Sequence, residues 1–251
     1  MNLKELKKYK PINQRFSKTR HQAILRYIRN KNVLDIGSIQ HNFSLSKSKG
    51  WLFKFLNDYS DSVLGIDILE EEVKKARSKG YNIIHRDVQT IKLDNKFDVI
   101  VAANIIEHLS NPGMFLKNMK KHLNKNGKMI ISTNNNSGFD CFYDSLILGC
   151  LPNNPEHTCW YDYVTLKELT KREGLIIEEV IYTMNKDIPN EYSSYKSLIY
   201  RKIKYFFMNC LIMFRQHFSP IIILVLKNDS IEENNNSIKL LKKQENIKCA
   251  E

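Results

Sequence analysis

The stretch Val33-Leu34-Asp35-Ile36-Gly37 constrains the fold more than any other. Its apolar residues run together, as in a parallel strand covered on both faces. Gly37 then permits a tight turn and a close approach of backbone to a ligand. Open α/β sheets bind ligands beyond the carboxyl ends of their strands, so Asp35 and Gly37 fall where a small molecule would lie. Taken alone, the stretch is equally an ordinary strand end with a turn glycine.

The chain repeats this pattern. Ser17 is expected to cap a helix reaching about Arg29, ahead of the first strand. Further strands are expected at Ser62–Asp67, Tyr81–His85, Phe97–Ala102 and Lys128–Thr133. Helices are expected around Trp51–Leu56, over Glu70–Lys79, and from Pro112 to Leu123. Such alternation implies an α/β fold with a doubly wound parallel sheet and right-handed crossovers. Residues 134–162 show no long regular element, only a short apolar piece near 142–148; a long irregular segment at a sheet edge usually serves a binding site. A helix over 164–172, a sixth strand over 175–184, a helix over about 192–215 and a strand over 221–226 follow. Residues 1–228 therefore read as one domain with a loose arm at 1–16, a cap segment at 134–162 and a helical insertion at 185–219. Residues 229–251 read as a disordered tail.

At 251 residues and 42% hydrophobic content, the chain can bury a sizeable core. The net charge of +12 favours an anionic partner, although a compositional bias toward Lys, Asn and Ile explains much of it. Five cysteines without a C-x-x-C pair argue against a disulfide framework or a zinc site and fit a reducing cytoplasm. Residues 1–10 lack the apolar core of a signal peptide.

Asp35, Asp67 and Asp87 fall at or just past three consecutive strand ends, on one rim of the sheet. Asp67 can accept from vicinal ribose hydroxyls. Asp87 can accept from an exocyclic adenine amine, with the Val88 N–H toward a ring nitrogen. Together they describe an adenosine pocket. A nicotinamide dehydrogenase is disfavoured, because G-x-G-x-x-G is absent from the first turn.

With these residues in place, the chain resembles the class I S-adenosylmethionine-dependent methyltransferases over roughly residues 17–227. The matching motifs are VLDIG (33–37), VLGID (63–67), RDV (86–88), FDVIVAANIIEHLSNP (97–112), NGKMIIST (126–133) and EHTCWYD (156–162). The last resembles a stretch of methyltransferases associated with surface-glycan synthesis. The resemblance implies a Rossmann-like seven-stranded sheet of order 3-2-1-4-5-7-6, its final strand antiparallel, with helices on both faces. It implies S-adenosyl-L-methionine as cofactor, at Asp35, Gly37, Ser38, Gln40, Asp67, Ile68, Asp87, Val88 and Asn104. The first loop departs from the family pattern. Gly37-Ser38-Ile39-Gln40-His41 replaces G-x-G-x-G, and 32 residues separate Asp35 from Asp67, against roughly 20 in related nucleotide-binding folds. The loop reads as a variant cofactor loop; a damaged site is the alternative.

Methyl transfer from a sulfonium is an in-line displacement, and a hydroxyl acceptor gains from a general base. His108 and His157 are the candidate bases, each weighed against a structural role. No catalytic metal is expected, because Asn104 stands where related metal-dependent O-methyltransferases place an acid. The turn after the fourth strand lacks the Pro-Pro-aromatic sequence of amino-group methylases, which favours oxygen. The expected acceptor is a sugar hydroxyl or carboxyl in a surface glycan. A quinone or lipid precursor, RNA methylation, and cofactor binding without catalysis stay open; no RNA-binding module is visible. The protein is expected in the cytoplasm. Residues 192–215 form a basic amphipathic stretch that suits either peripheral attachment to an anionic membrane or packing on the core.

Overall fold

Parallel strands buried on both faces need helices on both sides, and the computed structural model shows that arrangement. It describes residues 9–44, 50–151, 154–184 and 195–229. The strands are β1 (Gln14–Ser17), β2 (Asn32–Ile36), β3 (Ser62–Asp67), β4 (Ile83–His85), β5 (Phe97–Ala103), β6 (Leu123–Asn134), β7 (Leu175–Thr183) and β8 (Ile221–Asn228). The helices are α1 (Arg20–Ile28), α2 (Leu52–Tyr59), α3 (Glu70–Ser78), α4 (Pro112–Lys121), α5 (Phe139–Leu148), α6 (Tyr163–Arg172) and α7 (Tyr195–Phe214). The sheet order is β1-β7-β8-β6-β5-β2-β3-β4, and β8 runs antiparallel to β6 and β7. Among the described residues the sheet thus holds eight strands instead of seven. Count and order differ from expectation by the added edge strand β1, which pairs parallel with β7.

That strand takes residues 14–16 out of the expected loose arm, of which residues 1–8 lie outside the described residues. Its four residues are mostly polar and carry no apolar alternation, so charge and backbone bonds hold it. Asn13 accepts from Val180 N at 2.9 Å. Arg15 reaches the buried Glu179 at 3.0 Å, and Arg26 and Tyr27 of α1 bind the same carboxylate. The helix cap also moves. Ser17 ends the strand, and Thr19 accepts from Gln22 N to start α1.

Side-chain alternation along each strand divides the core. Val33, Val99, Ile223 and Val225 face α1, α2 and α3, with Ile24, Phe53 and Val73. Leu34, Ile100, Leu224 and Leu226 face α4 and α6, with Phe115, Met119 and Leu166. Each such aliphatic side chain, fully buried, stabilises by about 1.5–3 kcal/mol. Caps set the helix starts: Asn111 accepts from Met114 N before Pro112, and Asp162 with Thr165 forms a capping box on α6.

Within the cap segment, residues 139–148 form helix α5 where only a short apolar piece was expected. Helix α7 packs on α5: Tyr200 and Lys204 both bind Asp144, and Met208 and Ile212 turn inward. The expected tail lies outside the described residues, apart from Asp229 at its start, and so does the first part of the insertion, at 185–194.

Candidate active site

The carboxyl ends of β2, β3, β4 and β5 meet on one rim, brought there by parallel register: Asp35 pairs with Gly65, Asp67 with His85, and Ala102 with Ile36. Gly37 follows β2 at φ 71°, in the left-handed region that suits glycine. A Cβ there would lie 2.1 Å from Ile105 Cδ1. This turn therefore admits backbone and no side chain.

The loop after Gly37 is tied down at several points. Gly37 N and Ser38 N donate to Ile66 O. Trp51 Nε1 donates to Ser38 O at 2.7 Å, and Phe43 N donates to Glu72 at 2.7 Å. Ile39 N donates to Asp67 Oδ2 at 2.8 Å, while Leu69 N donates to Oδ1 at 3.0 Å. The expected ribose acceptor is thus already oriented by two backbone amides, with a lone pair left on each oxygen. Gln40 and Ile68 are exposed on this rim. Asp87 is half-buried; its Oδ1 accepts from Gln89 N at 2.9 Å, and Val88 O accepts from Asn118.

Asp35 is buried, and neither carboxylate oxygen has a hydrogen-bond partner. The Ser38 hydroxyl donates to its backbone oxygen instead. Burial, reinforced by the charge of Asp67, pushes the Asp35 carboxyl up to about 8. Asn104 sits at φ 54°, a strained conformation for a residue with a side chain. Its Oδ1 accepts from Arg20 Nη2 at 3.2 Å. Arg20 was not among the expected site residues, because its helix read only as an apolar-faced element. The unmatched Asp35 carboxylate and the acceptors at Asp67 and Asp87 fit a cationic nucleoside cofactor. Asp35, Gly37, Ser38, Asp67 and Asn104 come together here, while Asp87 and Val88 lie further along the rim.

The acceptor side is built by the cap. After β5, the 3-10 turn Ile106–His108 carries Glu107 and His108. Thr158 N donates to Glu107 O at 2.8 Å, and Thr158 Oγ1 donates to Leu109 O at 2.8 Å. Asn136 N donates to Tyr161 O at 2.7 Å. These bonds fold the 156–162 stretch over the strand ends. They place the His108 and His157 rings 4.7 Å apart, edge to face. Between the strand ends and the cap lies a small open recess, lined by Glu107, Thr133, Asn134, His157, Trp160 and Tyr161, among others.

Glu107 is buried, and neither oxygen meets a hydrogen-bond partner. Burial raises its carboxyl to about 7 against the pull of Thr133 and Arg20. Burial and the neighbouring His108 lower the pKa of His157 and favour its neutral form. The Tyr161 hydroxyl is also buried without a partner. Glu107 and Tyr161 carried no separate expectation: only the fold-back of the cap exposes their common recess.

Residues 9–180 match a family described as a methyltransferase domain. A ubiquinone biosynthesis O-methyltransferase of Rickettsia akari is 28% identical over 153 residues, covering 57% of this chain and 55% of that protein. The chain thus spans about half the length of that relative. Among solved structures, a SAM-dependent methyltransferase from Archaeoglobus fulgidus superposes with a TM-score of 0.56 at 18% identity, covering 83% of this chain and 91% of that one. The N-methyltransferase NodS of Bradyrhizobium japonicum, in complex with S-adenosyl-L-homocysteine, gives 0.50 at 16% identity, covering 83% and 85%.

Proposed function

The chain belongs to the S-adenosylmethionine-dependent methyltransferase family, and on that footing we propose that it transfers a methyl group to a hydroxyl oxygen of a small-molecule acceptor. S-adenosylmethionine, when bound, supplies a methyl carbon made electrophilic by its sulfonium. Asp67 and Asp87 hold the nucleoside end, and Asp35 faces the cationic end. Gly37 makes the left-handed turn that leads the chain from β2 into the cofactor loop. Glu107, His108 and His157 receive the acceptor hydroxyl and assist its deprotonation as the oxygen attacks and the methyl–sulfur bond breaks. The observation that carries this reading is the buried Glu107 carboxylate beside two imidazoles at the lip of the recess.

Two acceptor classes are each supported by a separate observation. The ubiquinone-pathway relative favours a phenolic quinone precursor. The half-exposed Trp160 beside Asn134 and Asn136 favours a sugar, which stacks on an aromatic face while donating to amides. Purified protein with labelled S-adenosylmethionine is offered phenolic quinone precursors, nucleotide- and lipid-linked sugars, and RNA. Label in either of the first two supports O-methylation and selects the acceptor. Label in RNA alone refutes it.

Both acceptor classes include membrane-borne molecules, so the surface of the α5–α7 pair enters the proposal. Phe142, Leu146, Phe206, Phe207, Met213 and Phe214 are exposed there, with Lys202 and Arg215 beside them. No helix among the described residues is long and apolar enough to cross a membrane. Peripheral contact with an anionic surface fits this mixture. It predicts sedimentation with anionic liposomes, weakened by salt and by Phe206→Glu with Phe207→Glu. Protein left in the supernatant at low salt removes the membrane from the proposal.

A further inference from the structure

We propose that Glu107, His108 and His157 form a site for one divalent transition-metal ion, of the zinc or cobalt kind, at the acceptor end of the recess. One oxygen and two imidazole nitrogens, one from each residue, all lie within 4.8 Å of one another. Ligand atoms about 2.0–2.2 Å from a tetrahedral zinc ion stand about 3.3–3.6 Å apart. Rotations of the three side chains would have to draw the set in by about 1 Å.

A second observation points to a cation. Glu107 is 2% exposed, and neither carboxylate oxygen has a hydrogen-bond donor. A carboxylate drawn out of water without donors is strongly unfavourable, and buried charges of this kind are paired or coordinate metals. The elements that bring the ligands together are already fixed. Glu107 and His108 share the 3-10 turn, and Thr158 bonds that turn's backbone twice, directly after His157. His157 N in turn donates to Asn154 O at 3.0 Å.

The donor set selects the ion. Magnesium and calcium prefer oxygen shells, whereas imidazole suits zinc, cobalt, iron and nickel. Three protein ligands also leave coordination positions for water or acceptor oxygen. The expectation of no metal rested on Asn104. That side chain binds Arg20 and is outside the cluster. The acid at the site is Glu107, three residues on.

The binding site stands on geometry alone; its part in the reaction rests on the O-methylation reading. The acceptor hydroxyl takes an open position on the ion, which lowers its proton affinity. With the three side chains held as ligands, the proton leaves to solvent. The O–H bond breaks, the oxygen lone pair bonds to the methyl carbon, and the methyl–sulfur bond breaks with its electron pair returning to sulfur, so that S-adenosylhomocysteine is the leaving group. No electron is gained or lost.

The test uses untagged full-length protein, stripped with a chelator and titrated with Co²⁺. One Co²⁺ per chain is expected, with ligand-field absorption of an N/O site, displaced by Zn²⁺ and not by Mg²⁺. Glu107→Gln and His157→Ala should each weaken binding by at least about tenfold, since even outer-shell changes at metal sites have that effect. S-adenosylhomocysteine affinity, measured on the same stripped proteins, reports folding and the cofactor site separately. Retained cofactor affinity without saturable Co²⁺ binding, or with unchanged Co²⁺ affinity in both variants, overturns the ion site and leaves the methyltransferase reading standing. Absent cofactor binding in the wild-type chain overturns that reading instead.

Discussion

Asp35→Asn should make the protein more stable at neutral pH while weakening its hold on the cofactor. Asp35 is buried at the end of β2 with no partner on either carboxylate oxygen. Burial first, and Asp67 second, raise its carboxyl from 3.8 to about 8. Below the unfolded value both states hold the proton, and folding carries no penalty. Between that value and the folded one, the native protein keeps a proton that the unfolded chain releases. Stability therefore falls as pH rises through this window, by about 1.4 kcal/mol per pH unit. At pH 7 roughly three units of the window have been crossed, so the accumulated loss reaches as much as about 4 kcal/mol. Asn has the same shape and no proton to lose. Denaturant unfolding at pH 5, 6, 7 and 8 should show a stability difference between variant and wild type that widens with pH. Asp67 titrates in both proteins and largely cancels. The sulfonium and ammonium of the cofactor favour the ionised acid, so calorimetry in two buffers of different ionisation enthalpy should detect proton release on binding to wild type only. A variant with the wild-type pH slope would refute the assignment of Asp35 as a neutral buried acid.

Three other changes probe the remaining parts of the site. Gly37→Ala should lose about 1–3 kcal/mol of stability and most cofactor affinity, because φ is 71° and the new Cβ meets Ile105 at 2.1 Å; thermal shift with and without S-adenosylhomocysteine reads both effects. Asp67→Ala should weaken cofactor binding by about 1.5–3 kcal/mol, and unchanged calorimetric affinity in a folded variant would remove the adenosine-pocket assignment. His157→Ala should lower kcat by about 10²–10⁴-fold at nearly constant cofactor affinity, with His108→Ala as its companion; wild-type rates in both would leave positioning alone as the source of catalysis.

Legibility in the sequence followed burial. Strands such as Ser62–Asp67 and Phe97–Ala103 are covered on both faces, so their apolar runs are continuous and their ends can be placed within a residue or two. Strand β1 is short, polar and at the edge, held by Arg15 on Glu179, and an ion pair to a strand more than 160 residues away leaves no local pattern. Helix α5 was missed for the opposite reason. None of its residues is buried, so its apolar side chains surround it without the one-sided spacing that marks an amphipathic helix. The same absence makes the surface it shares with α7 worth testing against a membrane.

The two halves of the site differed in the same way. Strand ends map directly onto a rim, so Asp35, Gly37 and Asp67 are legible as neighbours there, with Asp87 further along it. Arg20 reaches that rim from α1, and nothing in its own sequence context marks it. The acceptor half depends on residues 156–161 returning to the turn at 106–109, a closure across about fifty residues made by Thr158. Cofactor binding therefore rests on the sheet, whereas the recess and its Glu-His-His cluster exist only when the cap is seated. Breaking the clamp with Thr158→Val, which removes the hydroxyl bonds to Glu107 and Leu109 and keeps the volume, should lower acceptor turnover more than cofactor affinity. Equal losses in both would mean that the cap also supports the cofactor rim, and that the two halves are one cooperative unit.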